Sequence, residues 1–259
     1  MSASIGSVFS LAGQTALVTG GGRGIGRALA TALARAGADI VILDRIEDNV
    51  RDVCAFLEGE LGVRAYPAVA DLSNASVIGE VCASISAQCG GVDILVNNAG
   101  NQVRKPALEF TIEEWNSVLA IHLTASFAMA QALVPGMIER GAGTIINIAS
   151  LNSLMAVPNI IAYTTAKSGV AGLTRSMAVE WSGHGIRTNA IGPGWCRTEL
   201  TDKLFQDPEK EKWVMGRIPM KRVADPENDL GYVAVFLASK AASYITGQVI
   251  YVDGGWLAS

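Results

Sequence analysis

The run Ala16-Leu17-Val18-Thr19-Gly20-Gly21-Gly22-Arg23-Gly24-Ile25-Gly26 constrains the fold of this chain more than any other segment. Strand-forming residues lead straight into a glycine-rich turn, and the turn opens a helical pattern with Ile25, Leu29, Leu33 and Ala36 on one face. Glycines there let the backbone turn sharply and approach a pyrophosphate, whose charge meets the unpaired N–H groups of the following helix. Such a run alone is a weak sign. Asp44, twenty residues after Gly24 at the end of Ile40-Val41-Ile42-Leu43, supplies the other half of a dinucleotide-binding signature. Gly20, Arg23, Gly24, Ile25, Gly26 and Asp44 are therefore cofactor-binding candidates. Asp44 can accept hydrogen bonds from the adenosine ribose, and its charge repels a 2′-phosphate, which favours NAD. Arg23 and Arg45 could each pair with that phosphate, which keeps NADP open. Asp71, with Leu72 beside it, could meet the adenine edge or serve as a helix N-terminal residue.

The rest of the chain repeats the strand–helix alternation. Thr15–Val18, Ile40–Leu43, Val63–Val69, Ile94–Val96, Thr144–Ile148, Arg187–Ile191 and Gln248–Val252 are short, rich in Val and Ile, and bounded by Gly, Asp or Asn. Val170, Leu173, Met177 and Trp181 repeat at helical spacing. Repeated β–α–β units imply an α/β fold: a Rossmann-type, doubly wound, seven-stranded parallel sheet with helices on both faces. No linker or repeat interrupts the 259 residues, so one domain over 1–259 is expected. The least regular stretch, 192–218, follows the sixth strand at its carboxyl end, where such sheets bind ligands; it reads as a substrate lid.

Half the residues are hydrophobic and 17% are charged, enough to bury a large core. The net charge of −4, without a long basic run, argues against nucleic acid as partner. The longest apolar region, Leu123 to Ile138, is broken by Gln131, Pro135 and Gly136 and is expected to be a buried helix rather than a membrane span. No secretory signal is visible at the start, and a cytoplasmic protein is expected. Cys54, Cys82, Cys89 and Cys196 form no CxxC pair, and only His122 and His184 could join them, so no metal site is expected.

Tyr163 and Lys167, four apart in a helical segment, project from one face. An ordinary tyrosine titrates near ~10. A lysine ammonium close by, together with an oxidised nicotinamide, would favour the phenolate and let Tyr163 exchange a proton with an alcohol or carbonyl oxygen. Ser150 closes the fifth strand at the same sheet edge and could hold the substrate oxygen.

These motifs together resemble the short-chain dehydrogenases/reductases over nearly the whole chain: Thr19-Gly20-x-x-x-Gly24-x-Gly26, Asn97-Asn98-Ala99-Gly100, Ser150, Tyr163-x-x-x-Lys167, Asn189-x-x-x-Pro193-Gly194 and Val252-Asp253-Gly254-Gly255. The resemblance implies that Ser150, Tyr163 and Lys167 are catalytic and that Tyr163 and Lys167 also meet the cofactor. It implies cofactor contacts for Asn98, Gly100, Pro193, Gly194 and Thr198. The family usually carries an asparagine where this chain has His122, on the helix after the fourth strand. His122 is accordingly a catalytic candidate supporting a proton relay, or a satisfied core histidine.

Within the family the chain is most similar to sugar-acid dehydrogenases of the gluconate 5-dehydrogenase and 2-dehydro-3-deoxygluconate 5-dehydrogenase type. The stretches that carry this are Phe9-Ser10-Leu11, 98–105, Ala107-Leu108-Glu109-Phe110 and 252–257. Arg104 and Arg197 could grip a carboxylate with a forked hydrogen bond, or be solvated loop charges. Asn152, Trp195 and Trp213 could complete a sugar pocket around Ser150 and Tyr163. The rival readings are a 3-oxoacyl thioester reductase using NADPH and a cofactor-binding sensor without turnover. Small apolar residues on more than one face of Ile112–Ile138 and Ile160–Trp181, and the apolar Gly254-Gly255-Trp256-Leu257 end, suggest subunit contacts, and the resemblance implies a homodimer or homotetramer.

Overall fold

Alternate residues of the strands go to opposite sides of a sheet, and here both sides are buried. Ala16, Val18, Ile40, Ile42, Ile94, Val96, Ile146 and Ile148 enter one core, while Leu17, Val41, Leu43, Leu95 and Ile145 enter the other. A computed structural model describes residues 5–197 and 205–259. After a helical turn α1 (Ile5–Val8), the order is β1 (Thr15–Thr19), α2 (Gly24–Arg35), β2 (Asp39–Asp44), α3 (Glu47–Leu61), β3 (Ala65–Val69), α4 (Ile78–Cys89) and β4 (Ile94–Asn97). Then come α5 (Ile112–Leu119), α6 (Ala125–Arg140), β5 (Gly143–Ile148), α7 (Ile161–Trp181), β6 (Ile186–Pro193), α8 (Pro208–Arg217), α9 (Tyr232–Ala238) and β7 (Val249–Val252).

The seven strands are all parallel, in the order β3-β2-β1-β4-β5-β6-β7. The order reverses between β1 and β4, and the carboxyl ends of strands at such a reversal form a ligand crevice. Pro67 within β3 fits because β3 is an edge strand, where a missing N–H costs no ladder bond on the open side.

The expected strand bounds hold to within two residues. The expected helix Ile112–Ile138 is present and runs two residues further. Helical structure is continuous over Ile112–Arg140, 29 residues, long and apolar enough by composition to cross a bilayer. Met129, Ala130, Leu133, Val134 and Met137 are nevertheless packed in the core below the sheet. A π-helical turn, Ala120–Thr124, joins α5 to α6. His122 lies in this turn, and such turns are often found at functional sites.

Candidate active site

The glycine loop forms a cradle open at one end of α2. Arg23, at the N-cap, is extended and offers no side-chain cap, so first-turn N–H groups of α2 face outward. Gly26 admits no side chain: a Cβ there would collide with the Gly20 carbonyl and lie 2.5 Å from Asn98 Nδ2. Close backbone approach is what a pyrophosphate site requires. Asp44 supports the loop from beside it, its Oδ2 accepting from Gly22 N–H at 3.1 Å and Oδ1 from Ile46 N–H at 3.2 Å. Asn98 ties β4 to the loop, its Nδ2 donating to the carbonyls of Thr19 (2.9 Å) and Gly20 (3.1 Å). These residues fit a dinucleotide.

Thr19, which opens the glycine motif but was given no role from sequence, is a site residue. Its buried Oγ1 donates to Val96 O and accepts from the N–H groups of Asn98 (2.9 Å) and Ala99 (3.0 Å). One hydroxyl thus fixes the ends of β1 and β4 across the sheet reversal. Asp71 is engaged locally, Oδ1 accepting from Ser73 N–H at 2.9 Å and from its hydroxyl at 2.7 Å. Those bonds hold its carboxyl below the usual range. Leu72 is buried in the core beneath. Pro193 ends β6, and Gly194 N–H donates to Val252 O at 2.8 Å. Thr198 lies outside the described residues.

Ser150, Tyr163, Lys167 and His122 converge at the carboxyl edge of β5. Ser150 follows that strand, and its side chain shares a hydrogen bond with Tyr163. Lys167 is 4% exposed, its Nζ donating to Ile148 O at 2.6 Å and lying 5.5 Å from the Tyr163 ring centroid. Burial pulls the Lys167 ammonium down to about 7. Burial holds the phenol of Tyr163 above its ordinary value, and the Ser150 hydrogen bond partly offsets this. The lowering expected of this phenol is by Lys167 together with an oxidised nicotinamide.

His122 is 4% exposed, stands edge-on to Tyr163 at 5.4 Å between ring centroids, and has Nε2 2.8 Å from the Asn101 carbonyl. A carbonyl only accepts, so Nε2 carries the proton and Nδ1 is a bare acceptor. Burial first, then Lys167, lowers the imidazole to about 3, so it is neutral at physiological pH. Gly100 makes room for it: a Cβ there would collide with Cε1 and lie 2.9 Å from Nδ1. Behind these groups a buried polar chain runs from Asn97 Nδ2 to Asn147 Oδ1 (2.9 Å) and from Asn147 Nδ2 to Thr174 Oγ1 (3.0 Å). Asn189 joins β6 to the segment leading into β7, its Nδ2 donating to Ile245 O at 2.8 Å.

The substrate candidates separate into two groups. Asn152 stays beside Ser150, whose Oγ accepts from the Asn152 N–H at 3.1 Å. Trp195 and Trp213 meet each other at 6.5 Å, and both meet Trp256. Arg197 lies over Phe205 and 3.8 Å from Glu211, while Arg104 is exposed on the loop after β4. Trp256, expected at a subunit contact, is 2% exposed within its own chain and belongs to this aromatic cluster. Alternating aromatic residues at 195, 205, 213 and 256 were visible in the sequence, but their meeting depends on the fold.

A family model for enoyl-(acyl carrier protein) reductase matches residues 20–257. Gluconate 5-dehydrogenase of Gluconobacter oxydans is 41% identical over 248 residues, covering 96% of each chain. 2-Dehydro-3-deoxy-D-gluconate 5-dehydrogenase of Escherichia coli is 42% identical over 255 residues, 97% of this chain and 98% of the relative. The crystal structure of a gluconate 5-dehydrogenase from Burkholderia cenocepacia, in complex with NADP and tartrate, matches with a TM-score of 0.95 and 39% identity, over 99% of this chain and 100% of that one.

Proposed function

Because this chain belongs to the short-chain dehydrogenase/reductase family, and is an oxidoreductase of CH–OH groups using a nicotinamide cofactor, we propose that it moves hydride between NAD and the carbon bearing a secondary hydroxyl of a sugar acid. Residues 1–259 act as one catalytic unit, with 192–218, of which 198–204 lie outside the described residues, as the substrate lid. The observation that carries the reading is the convergence of Ser150, Tyr163 and Lys167 at the sheet edge beside the glycine cradle.

The nicotinamide supplies a two-electron hydride acceptor or donor and, when oxidised, a positive charge. Gly20, Arg23, Gly24, Ile25, Gly26, Asn98, Gly100, Pro193, Gly194 and Thr198 hold the dinucleotide, Asp44 its adenosine ribose, and Asp71 with Leu72 the adenine end. Ser150 Oγ holds the substrate oxygen. Tyr163 takes the hydroxyl proton in oxidation and returns it in reduction. Lys167 binds the nicotinamide ribose and, titrating at about 7, can accept and release a proton at neutral pH. His122 is a positioning residue: neutral and tied to Asn101, it sets the ring of Tyr163 and the loop after β4.

Sugar acids are favoured by the names of the relatives. Arg104 grips the substrate carboxylate; Arg197, ion-paired to Glu211, steadies the lid. Asn152 and Trp195 complete the pocket. NAD is favoured by the Asp44 carboxylate, although a solved relative carries NADP. The four free cysteines fit a reducing, cytoplasmic setting. Exposed Phe127, Ile138 and Val179 on α6 and α7 fit a homo-oligomer, dimer or tetramer.

A panel of gluconate, 2-dehydro-3-deoxygluconate, neutral polyols and a 3-oxoacyl thioester, followed at the reduced-nicotinamide absorbance with both cofactors, tests this. Turnover of a sugar acid with NAD preferred is expected. Preference for the thioester defeats the substrate reading, and a roughly tenfold better kcat/KM with NADP defeats the cofactor choice.

A further inference from the structure

Helix α8 has little of its own to hold it on the body, with Val214 its one buried side chain among the described residues. Trp256, in the turn after β7, supplies what α8 lacks. Its indole stands 5.5 Å from Trp213 of α8 and 6.0 Å from Trp195 after β6. The Nε1–H of Trp256 donates to Met155 Sδ at 3.2 Å, in the loop behind Ser150. Arg217, the last residue of α8, places its guanidinium 4.7 Å from the Trp256 ring centroid and 5.6 Å from that of Trp213. The turn that presents Trp256 is itself fixed, because the Asp253 carboxylate accepts from the N–H groups of Gly255 and Leu257, each at 2.9 Å. Met220 N–H donates to Gly254 O at 3.1 Å, and the Ser259 hydroxyl donates to Arg217 O at 3.3 Å, so the backbones of the two segments are stitched together as well.

A single side chain is thus keyed into three segments that border the substrate side of the sheet, and at 2% exposure it is packed inside the aromatic cluster. We propose that Trp256 is a positioning residue for substrate recognition, holding α8 and the Met155 loop in register, with Arg217 clamping the joint. This rests on the reading of that sheet edge as the sugar-acid site. A held wall lowers KM by removing the ordering that substrate would otherwise have to impose. Hydride and proton transfer, which depend on Tyr163 and the cofactor cradle, are left alone.

The test uses full-length Arg217→Gln, Trp256→Phe and Trp256→Ala. For each, KM and kcat for the sugar acid that the wild type turns over, the Kd of NADH, and the rate of tryptic cleavage after Lys210 and Lys212 are measured. Arg217→Gln should raise KM roughly three- to tenfold, with kcat and NADH Kd within about twofold. Trp256→Ala should raise KM by more and speed cleavage about tenfold, and Trp256→Phe should restore most of both. A loss of kcat and NADH binding in step with KM, with no rescue by phenylalanine, would mean a merely structural role and overturn the proposal. Unchanged KM and cleavage in folded Trp256→Ala also overturn it; if that variant does not fold, the same result in Arg217→Gln does. Should the wild type oxidise no sugar acid, the substrate reading fails, and the cleavage rates still decide whether Trp256 holds α8.

Discussion

At the residue scale His122 shows how far an environment can move a familiar group. The side chain best known for titrating near neutrality is held at about 3 by burial and by Lys167. An unfolded chain binds a proton at this residue below its ordinary value of 6.5, while the folded chain does not until about 3. Stability therefore falls as pH drops from 6.5 towards 3, by up to about 1.4 kcal/mol per pH unit from this group. Urea unfolding at pH 6.5, 5.5 and 4.5 should show a steeper loss in the wild type than in His122→Asn; parallel curves would contradict the assignment. The position of His122 was legible in the sequence as a departure from the family pattern. Its protonation state was not, because the Asn101 carbonyl and the Tyr163 ring reach it only through the fold. Tyr163 carries the same lesson with the opposite sign: helical spacing put Lys167 beside it, but spacing does not report that both are desolvated.

At the element scale the glycine turn is held by β4 as much as by β1. Thr19 Oγ1 serves two N–H groups of the 98–99 segment, and removing it leaves both donors without their partner. Thr19→Val should cost about 1–3 kcal/mol of stability and weaken NADH binding about tenfold. Fluorescence titration with NADH checks this; unchanged affinity would show that the β1–β4 tie does not shape the cradle. Strands, with their buried Val and Ile runs, were read almost residue for residue. Helix α8 spans Pro208–Arg217, with Asp207 capping its first turn through Glu209 and Lys210 N–H. The π-helical turn at Ala120–Thr124 left no mark in the sequence, because one extra residue in an apolar helix changes no residue type.

For the whole molecule, the sheet reversal between β1 and β4 brings the dinucleotide cradle next to the Ser150–Tyr163–Lys167 group. The alternating sequence made the parallel sheet legible, whereas the aromatic cluster that gathers the last turn of the chain onto α8 was not. Trp256 looked like an outward apolar residue because nothing local says that Trp195 and Trp213 come to meet it. The α6 and α7 faces still leave apolar surface: Phe127 is 44% exposed, and a groove runs between it, Val134, Leu173 and Trp181. Light scattering at micromolar concentration should give a dimer or tetramer, and Phe127→Glu should shift it towards monomer; a monomeric wild type would contradict the assignment of that face. The chemistry itself is tested most directly by one comparison, the initial rate of sugar-acid oxidation by the wild type and by Tyr163→Phe at saturating cofactor. The account predicts that kcat falls about 10²–10⁴-fold while NADH Kd changes less than about twofold. Turnover that survives the loss of the phenolic hydroxyl would contradict it.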